Sequence, residues 1–128
     1  MATRFVATYE AAPEAVGAVR NQIAAIARDC GLDEHRIGDV RLAVSEAATN
    51  ALLHGCYRRA DAWQIHVEAE KVGDELIIDI ADDGDGMRPR PDSPGLGLGL
   101  SLMATVSDRL EILQGDPGTT VRLAFPCN

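Results

Sequence analysis

The sequence predicts a two-layer α+β sandwich, with three helices on one face of a mixed, mainly antiparallel sheet. Three observations carry this expectation. Hydrophobic periodicity reads as the order β-α-α-β-β-α-β-β. Two pairs of alternating segments are joined by short turns, at Gly73-Asp74 and at Gly115 to Gly118, as antiparallel neighbours are. The chain has 128 residues, 46% of them hydrophobic, which suits one domain spanning residues 1–128 with a single core.

The elements follow in order. Arg4 to Tyr9 alternates and carries Phe5, Val6 and Tyr9, so a short first strand is expected there. Pro13 then opens a helix at its favoured first-turn position, with Glu14 suiting the positive helix end. Val16, Val19, Ile23 and Ile26 form its apolar stripe, and Cys30-Gly31 ends it. Asp33 caps a second helix whose apolar face is Ile37, Val40, Val44, Ala47, Ala48, Ala51 and Leu52; it ends near His54-Gly55. Tyr57 to Ala62 is a polar turn. Trp63 to Val72 and Glu75 to Ala81 alternate as two strands around the Gly73-Asp74 hairpin signal. A loop rich in Asp, Gly and Pro runs from Asp82 to Gly95, and Leu98 to Val106 reads as a third helix. Leu110 and Ile112, then Val121, Leu123 and Phe125, supply two closing strands.

Composition excludes several classes of function. The formal net charge is -8, and the only adjacent basic pair is Arg58-Arg59, so no segregated basic patch exists to hold free nucleic acid. Three cysteines, Cys30, Cys56 and Cys127, form no C-x-x-C; an odd count without that spacing argues against a disulfide framework and a zinc site. It points to a reducing cytoplasm. No signal-peptide pattern and no 18-residue apolar run occurs, so a cytoplasmic protein without membrane attachment is expected.

Four constellations carry chemistry. Glu46 and Asn50 stand i, i+4 on the second helix and project from one side. An Asn amide oxygen suits Mg²⁺, which takes oxygen ligands and keeps substrate phosphates. A carboxylate one turn away can act as a base at an attacking hydroxyl. A solvated helix face is the competing reading of E-x-x-x-N taken alone. Asp82-Asp83-Gly84-Asp85-Gly86 closes an apolar strand: a carboxylate there can accept a hydrogen bond from an exocyclic amine, and Gly84 and Gly86 let the backbone approach a flat ring. An acidic turn or a Ca²⁺ loop competes, but the Ca²⁺ pattern finds Ala81 at its first position and Asp92 at its twelfth. Gly95, Gly97 and Gly99 open the third helix, where backbone N–H groups can cradle phosphates. They fit neither a Walker loop, since no G-K-[ST] follows, nor the dinucleotide fingerprint; a flexible hinge is the alternative. Gly118-Thr119-Thr120 precedes the last strand, where a Thr hydroxyl can reach a base edge.

Each signal is weak singly; their order and spacing together are specific. SEAATNALLHG, IADDGDGM, GLGLGLSLM and GTTVRL resemble the four ATP-site boxes of the GHKL (histidine-kinase-like) superfamily, whose two-layer sandwich is the Bergerat fold. The short length, the wording V-S-E-A-x-T-N-A-x-x-H-G and the two preceding helices look like the bacterial anti-sigma-factor serine kinases of the sporulation and stress-response type. The resemblance implies that Asn50 binds Mg²⁺ and that Glu46 is the catalytic base. It implies that Asp82 receives the adenine amine, that Gly84 and Gly86 line the base pocket, and that Thr119 supports Asp82. Gly95, Gly97 and Gly99 would wrap the phosphates of ATP or ADP. The implied partners are an anti-anti-sigma factor of the STAS-domain class, phosphorylated on serine, and a sigma factor, with a homodimer as the expected assembly. The sequence departs from longer relatives in its lid, Met87 to Pro94, which holds three prolines and offers Arg88 and Arg90 as its basic residues.

Two functions of different class are thereby framed. One is an Mg·ATP-dependent serine/threonine-protein kinase that also sequesters a sigma factor. The other is a non-catalytic nucleotide-binding switch that docks and activates a partner protein. The presence of Glu46 together with Asn50 favours the first.

Overall fold

The computed structural model describes residues 4–56, 64–82, 102–114 and 118–127. Strand β1 (Arg4–Glu10) leads into helices α1 (Pro13–Asp29) and α2 (Glu34–Cys56); the hairpin β2 (Gln64–Val72) and β3 (Glu75–Asp82) follows. A short helix α3 (102–106) precedes β4 (Arg109–Gln114) and β5 (Thr119–Pro126). The sheet order is β1-β2-β3-β5-β4, with all four pairings antiparallel. A mixed sheet was expected. β3 and β4 do run in the same direction, but β5 lies between them, so no parallel ladder forms among the described strands.

Local sequence explains the boundaries. Pro13 is in the first turn of α1, which starts after Ala12 without a side-chain cap. Its end is a Schellman motif: the Gly31 N–H donates to the Arg28 carbonyl and the Leu32 N–H to the Ala27 carbonyl, each at 3.1 Å. Gly31 has φ 93°, a conformation open to glycine at little cost. Asp33 caps α2, its carboxylate accepting the Arg36 backbone N–H at 2.8 Å. Gly73, at φ 61°, takes the first central place of the β2–β3 turn, as a type II′ hairpin requires.

One face of every strand is apolar and turned to the helices. Ile65, Val67 and Ala69 of β2 are buried, as are Leu76, Ile78 and Ile80 of β3 and Val121, Leu123 and Phe125 of β5. Phe5 and Tyr9 of β1 and Leu110 and Ile112 of β4 pack partly buried at the margins. α2 lies on β2, β3 and β5, while α1 packs on α2 and β2. The α2 contact face is rich in Ala43, Ala47, Ala48 and Ala51, all buried; small side chains let the helix sit close to the sheet. Met103 of α3 is fully buried in the same core.

The opposite face is polar, as the free face of an antiparallel sheet can be. Arg122 makes a two-pronged pair with Asp79, at 2.8 and 2.9 Å. That hydrogen bond and charge, with a smaller contribution from Glu111, hold the guanidinium above its usual pKa. Arg4 pairs with Glu68 and Arg109 with Glu75 on the same face. Among the described residues no helix is long and apolar enough to cross a membrane.

Candidate nucleotide site

Four of the residues expected at the site are described: Glu46, Asn50, Asp82 and Thr119. Gly84, Gly86, Gly95, Gly97 and Gly99 lie outside the described residues, as do Trp63, the lid Met87 to Pro94 and the opening turn of the third helix.

The position of Asn50 relative to Asp82 follows from anchors and lengths. α2 begins beside the far end of the sheet: Arg36 stands over the Phe125 ring, 5.5 Å from its centroid. Phe125 is paired with Leu76. From Arg36 to Asn50, α2 advances about 21 Å at about 1.5 Å per residue. From Leu76 to Asp82, β3 advances about 20 Å. A helix packed along β3 therefore carries Asn50 to the end of the sheet where Asp82 lies. β5 starts at that same end, at Thr119, because Ala81 pairs with Thr120.

Burial singles out these positions. Among the described residues the buried polar side chains are Asn50, Asp82, Ser107 and Thr119. Ser107 is accounted for locally, since its hydroxyl donates to the Met103 carbonyl at 2.6 Å and finishes α3. The other three are all residues of the expected site. Asp82 is 5% exposed and Thr119 2% exposed, at neighbouring strand ends on the helix-covered face. Both are engaged in polar or electrostatic contacts. Glu46 is half-buried, one turn before Asn50.

Asn50 is 4% exposed, and its side-chain Nδ2 has no hydrogen-bond partner. An amide end buried without a partner costs roughly 1–3 kcal/mol, which a polar ligand would offset. A half-turn of the amide exchanges its two ends, so either the carbonyl or the NH₂ can meet that ligand. A cation plus phosphate oxygens fits this donor set: Asn oxygen is a hard ligand, and Mg²⁺ takes few protein ligands. No group of three His, Cys, Asp or Glu side chains suited to a metal occurs among the described residues.

One residue that matters to this architecture escaped the sequence reading. Arg36 donates from Nη1 to Asp39 at 2.7 Å and to the Val106 carbonyl at 3.3 Å. It thus ties the start of α2 to the end of α3. The i, i+3 partner is legible in sequence; the Val106 contact, 70 residues away, is not. A concavity of about 340 Å³ lies on the polar sheet face, lined by residues including Glu70, Asp79, Glu111 and Arg122. It is on the opposite side of the sheet from Asn50 and Asp82 and takes no part in the site.

Comparison with known proteins bears on the family and the fold. Residues 9–125 match the family model of the histidine kinase-like ATPase domain. The chain is 34% identical to the serine-protein kinase RsbW of Bacillus licheniformis, over 88% of this chain and 79% of that one. It is 37% identical to the anti-sigma F factor of Clostridium botulinum (strain Eklund 17B / Type B), over 74% of this chain and 73% of that one. Among solved structures, a Mycobacterium tuberculosis protein with RsbU and RsbW domains superposes with a TM-score of 0.76 at 26% identity. The match covers 97% of this chain and 32% of that one.

Proposed function

The chain belongs to the histidine kinase-like ATPase domain family, and from that premise we propose that it is an ATP-binding serine protein kinase that also acts as an anti-sigma factor. Its substrate is a serine hydroxyl on an anti-anti-sigma protein of the STAS class, and its second partner is a sigma factor. It acts in the cytoplasm as a homodimer and does not bind nucleic acid directly. One observation carries the reading: a buried Asn50 with an unpartnered amide end, set at the end of the sheet that also buries Asp82 and Thr119.

The roles divide by chemistry. Asp82, an acceptor-only carboxylate when ionised, receives the exocyclic amine of adenine, and Thr119 supports it from the adjoining strand. Gly84 and Gly86 line the base pocket; Gly95, Gly97 and Gly99 offer backbone N–H groups to the phosphates. Asn50 holds Mg²⁺. Bound Mg·ATP supplies the transferable phosphoryl group with part of its charge neutralised. Glu46, one helical turn from Asn50, orients the attacking serine hydroxyl and accepts its proton.

The test is incubation of the purified protein with Mg·ATP and a cognate anti-anti-sigma protein, followed by mass spectrometry of the partner. Phosphoserine on the partner is the expected result. A partner bound in a nucleotide-dependent way but never phosphorylated would replace the kinase reading with that of a non-catalytic switch.

A further inference from the structure

Helix α2 turns its buried side to the sheet, yet two leucines stand on its outer side. Leu42 is 38% exposed and Leu53 is 49% exposed. Among the described residues of α1 and α2 no other large apolar side chain is exposed. A single exposed leucine is ordinary on a protein surface, but these two share one line along the helix. Leu42, Glu46, Thr49 and Leu53 follow one another at steps of four, three and four residues. At about 100° per residue they fall within about 60° of one another. Glu46 and Thr49 are half-buried between the two leucines. Asn50 lies about 40° further round, on the side towards the core, and is buried. From core to solvent the helix thus presents Asn50, then Glu46, then the leucines. The outer side of a surface helix ordinarily carries charges. From Leu42 to Leu53 this one holds a single charged residue, Glu46.

We propose that Leu42 and Leu53 are docking contacts for the serine-bearing partner, an apolar pair on either side of Glu46 that seats the segment carrying the serine. The proposal rests on the kinase reading above. A base must come within hydrogen-bond reach of the hydroxyl it deprotonates. The partner's serine must therefore reach the Glu46 carboxylate, and the chain around that serine must lie across the outer side of α2. Along the helix Leu42 stands about 6 Å from Glu46 and Leu53 about 10 Å from it on the other side, at about 1.5 Å per residue. An extended segment rises about 3.3 Å per residue, so the occupant carries apolar side chains within about two or three residues of its serine. Acidic residues there would meet repulsion from Glu46. Covering the two leucines removes apolar area from water on binding. That contact is made equally before and during phosphoryl transfer, so it acts on KM and leaves kcat alone.

The experiment uses the full chain and its cognate anti-anti-sigma protein, with steady-state phosphorylation read as phosphoserine by mass spectrometry. Leu42→Gln/Leu53→Gln keeps good helix formers at solvent-facing positions. It should raise KM for the partner about ten- to hundredfold, the loss expected when two half-exposed leucines are withdrawn from an interface. Its kcat and its Mg·ATP affinity should not change. Leu42→Met/Leu53→Met keeps the apolar area and should return KM close to that of the unmodified protein. Leu113, 36% exposed on the polar sheet face, is the control, and Leu113→Gln should leave KM as it is. An unchanged KM in the glutamine double variant overturns the docking proposal while phosphoserine upholds the kinase reading. A fall in kcat or in Mg·ATP affinity at constant KM overturns it too. Absence of phosphoserine with the unmodified protein overturns the kinase reading instead. The stripe is then judged by calorimetry with the partner, where equal affinities for the unmodified and double-variant proteins overturn docking as well. If the double variant unfolds, p-benzoylphenylalanine in place of Leu53 gives a second measurement. Photocrosslinking to the partner's serine peptide supports the proposal, and crosslinking only to a second copy of this chain overturns it.

Discussion

Asp82 and Thr119 stand at the same end of adjacent strands, one step of antiparallel register beyond the Ala81–Thr120 pair, and both side chains are buried. A carboxylate buried at a strand end loses hydration, and it is retained only where polar partners replace the water. On the proposed function those partners include the amine of adenine. Asp82→Asn keeps the shape of the side chain but removes the charge and replaces one acceptor by a donor. ADP affinity should fall about ten- to hundredfold, as expected for a lost charge-assisted hydrogen bond of roughly 1.5–3 kcal/mol. Isothermal titration calorimetry measures it; an unchanged affinity removes Asp82 from the nucleotide site.

Glu46 and Asn50 should separate binding from chemistry. Positioned bases contribute roughly a hundred- to ten-thousandfold in rate. Glu46→Ala should therefore retain Mg·ATP while partner phosphorylation drops by about that factor. Asn50→Ala removes a metal ligand and should lose both. Quench-flow phosphorylation alongside fluorescent-nucleotide titration gives the two numbers. A Glu46→Ala protein that phosphorylates its partner at full rate reduces Glu46 to a helix-face carboxylate.

Asp33 should affect stability and leave the site alone. Its carboxylate caps α2 through the Arg36 N–H, and loss of such a cap costs typically about 1 kcal/mol. Asp33→Ala should lower the unfolding free energy obtained from urea denaturation by that amount without changing nucleotide affinity. The competing outcome, weakened nucleotide binding at full stability, would tie the start of α2 directly to the site.

Alkaline pH should loosen the fold through two buried thiols, Cys30 and Cys127. Burial is the largest influence on Cys30 and Cys127 and raises both above their ordinary value near 9. Lys71 opposes it, while Asp29 near Cys30 and Asp74 near Cys127 add to it. The folded state holds these protons more tightly than the unfolded chain does. Their contribution is complete below about pH 9 and is lost as pH rises through the raised folded values. Denaturant titrations of the reduced protein between pH 8 and pH 10.5 should show that fall. A Cys30→Ser/Cys127→Ser double variant should show a shallower one; an identical slope would assign the effect to other groups, Tyr9 among them.

The elements were legible because their signals are local. The alternation in Glu75 to Ala81 names the buried set of β3, since a strand shows one face at every second residue. Pro13, Gly31 and Asp33 mark helix ends through a fixed φ, a left-handed turn and a capping carboxylate, each decided within a few residues. Glu46 and Asn50 were legible as a pair from helical spacing alone.

Sequence by itself thus determined which residues form strands and helices, which faces of them are apolar, and which polar residues interrupt those faces. Only the tertiary structure decided that β5 inserts between β3 and β4, so that Thr119 comes beside Asp82 and every described pairing is antiparallel. It also decided that Arg36 reaches Val106 and that Cys127 meets the β2–β3 turn at Asp74. These relations join residues dozens of positions apart. Neither propensity nor periodicity extends beyond a single element, whereas burial of one shared apolar face fixes how the elements meet.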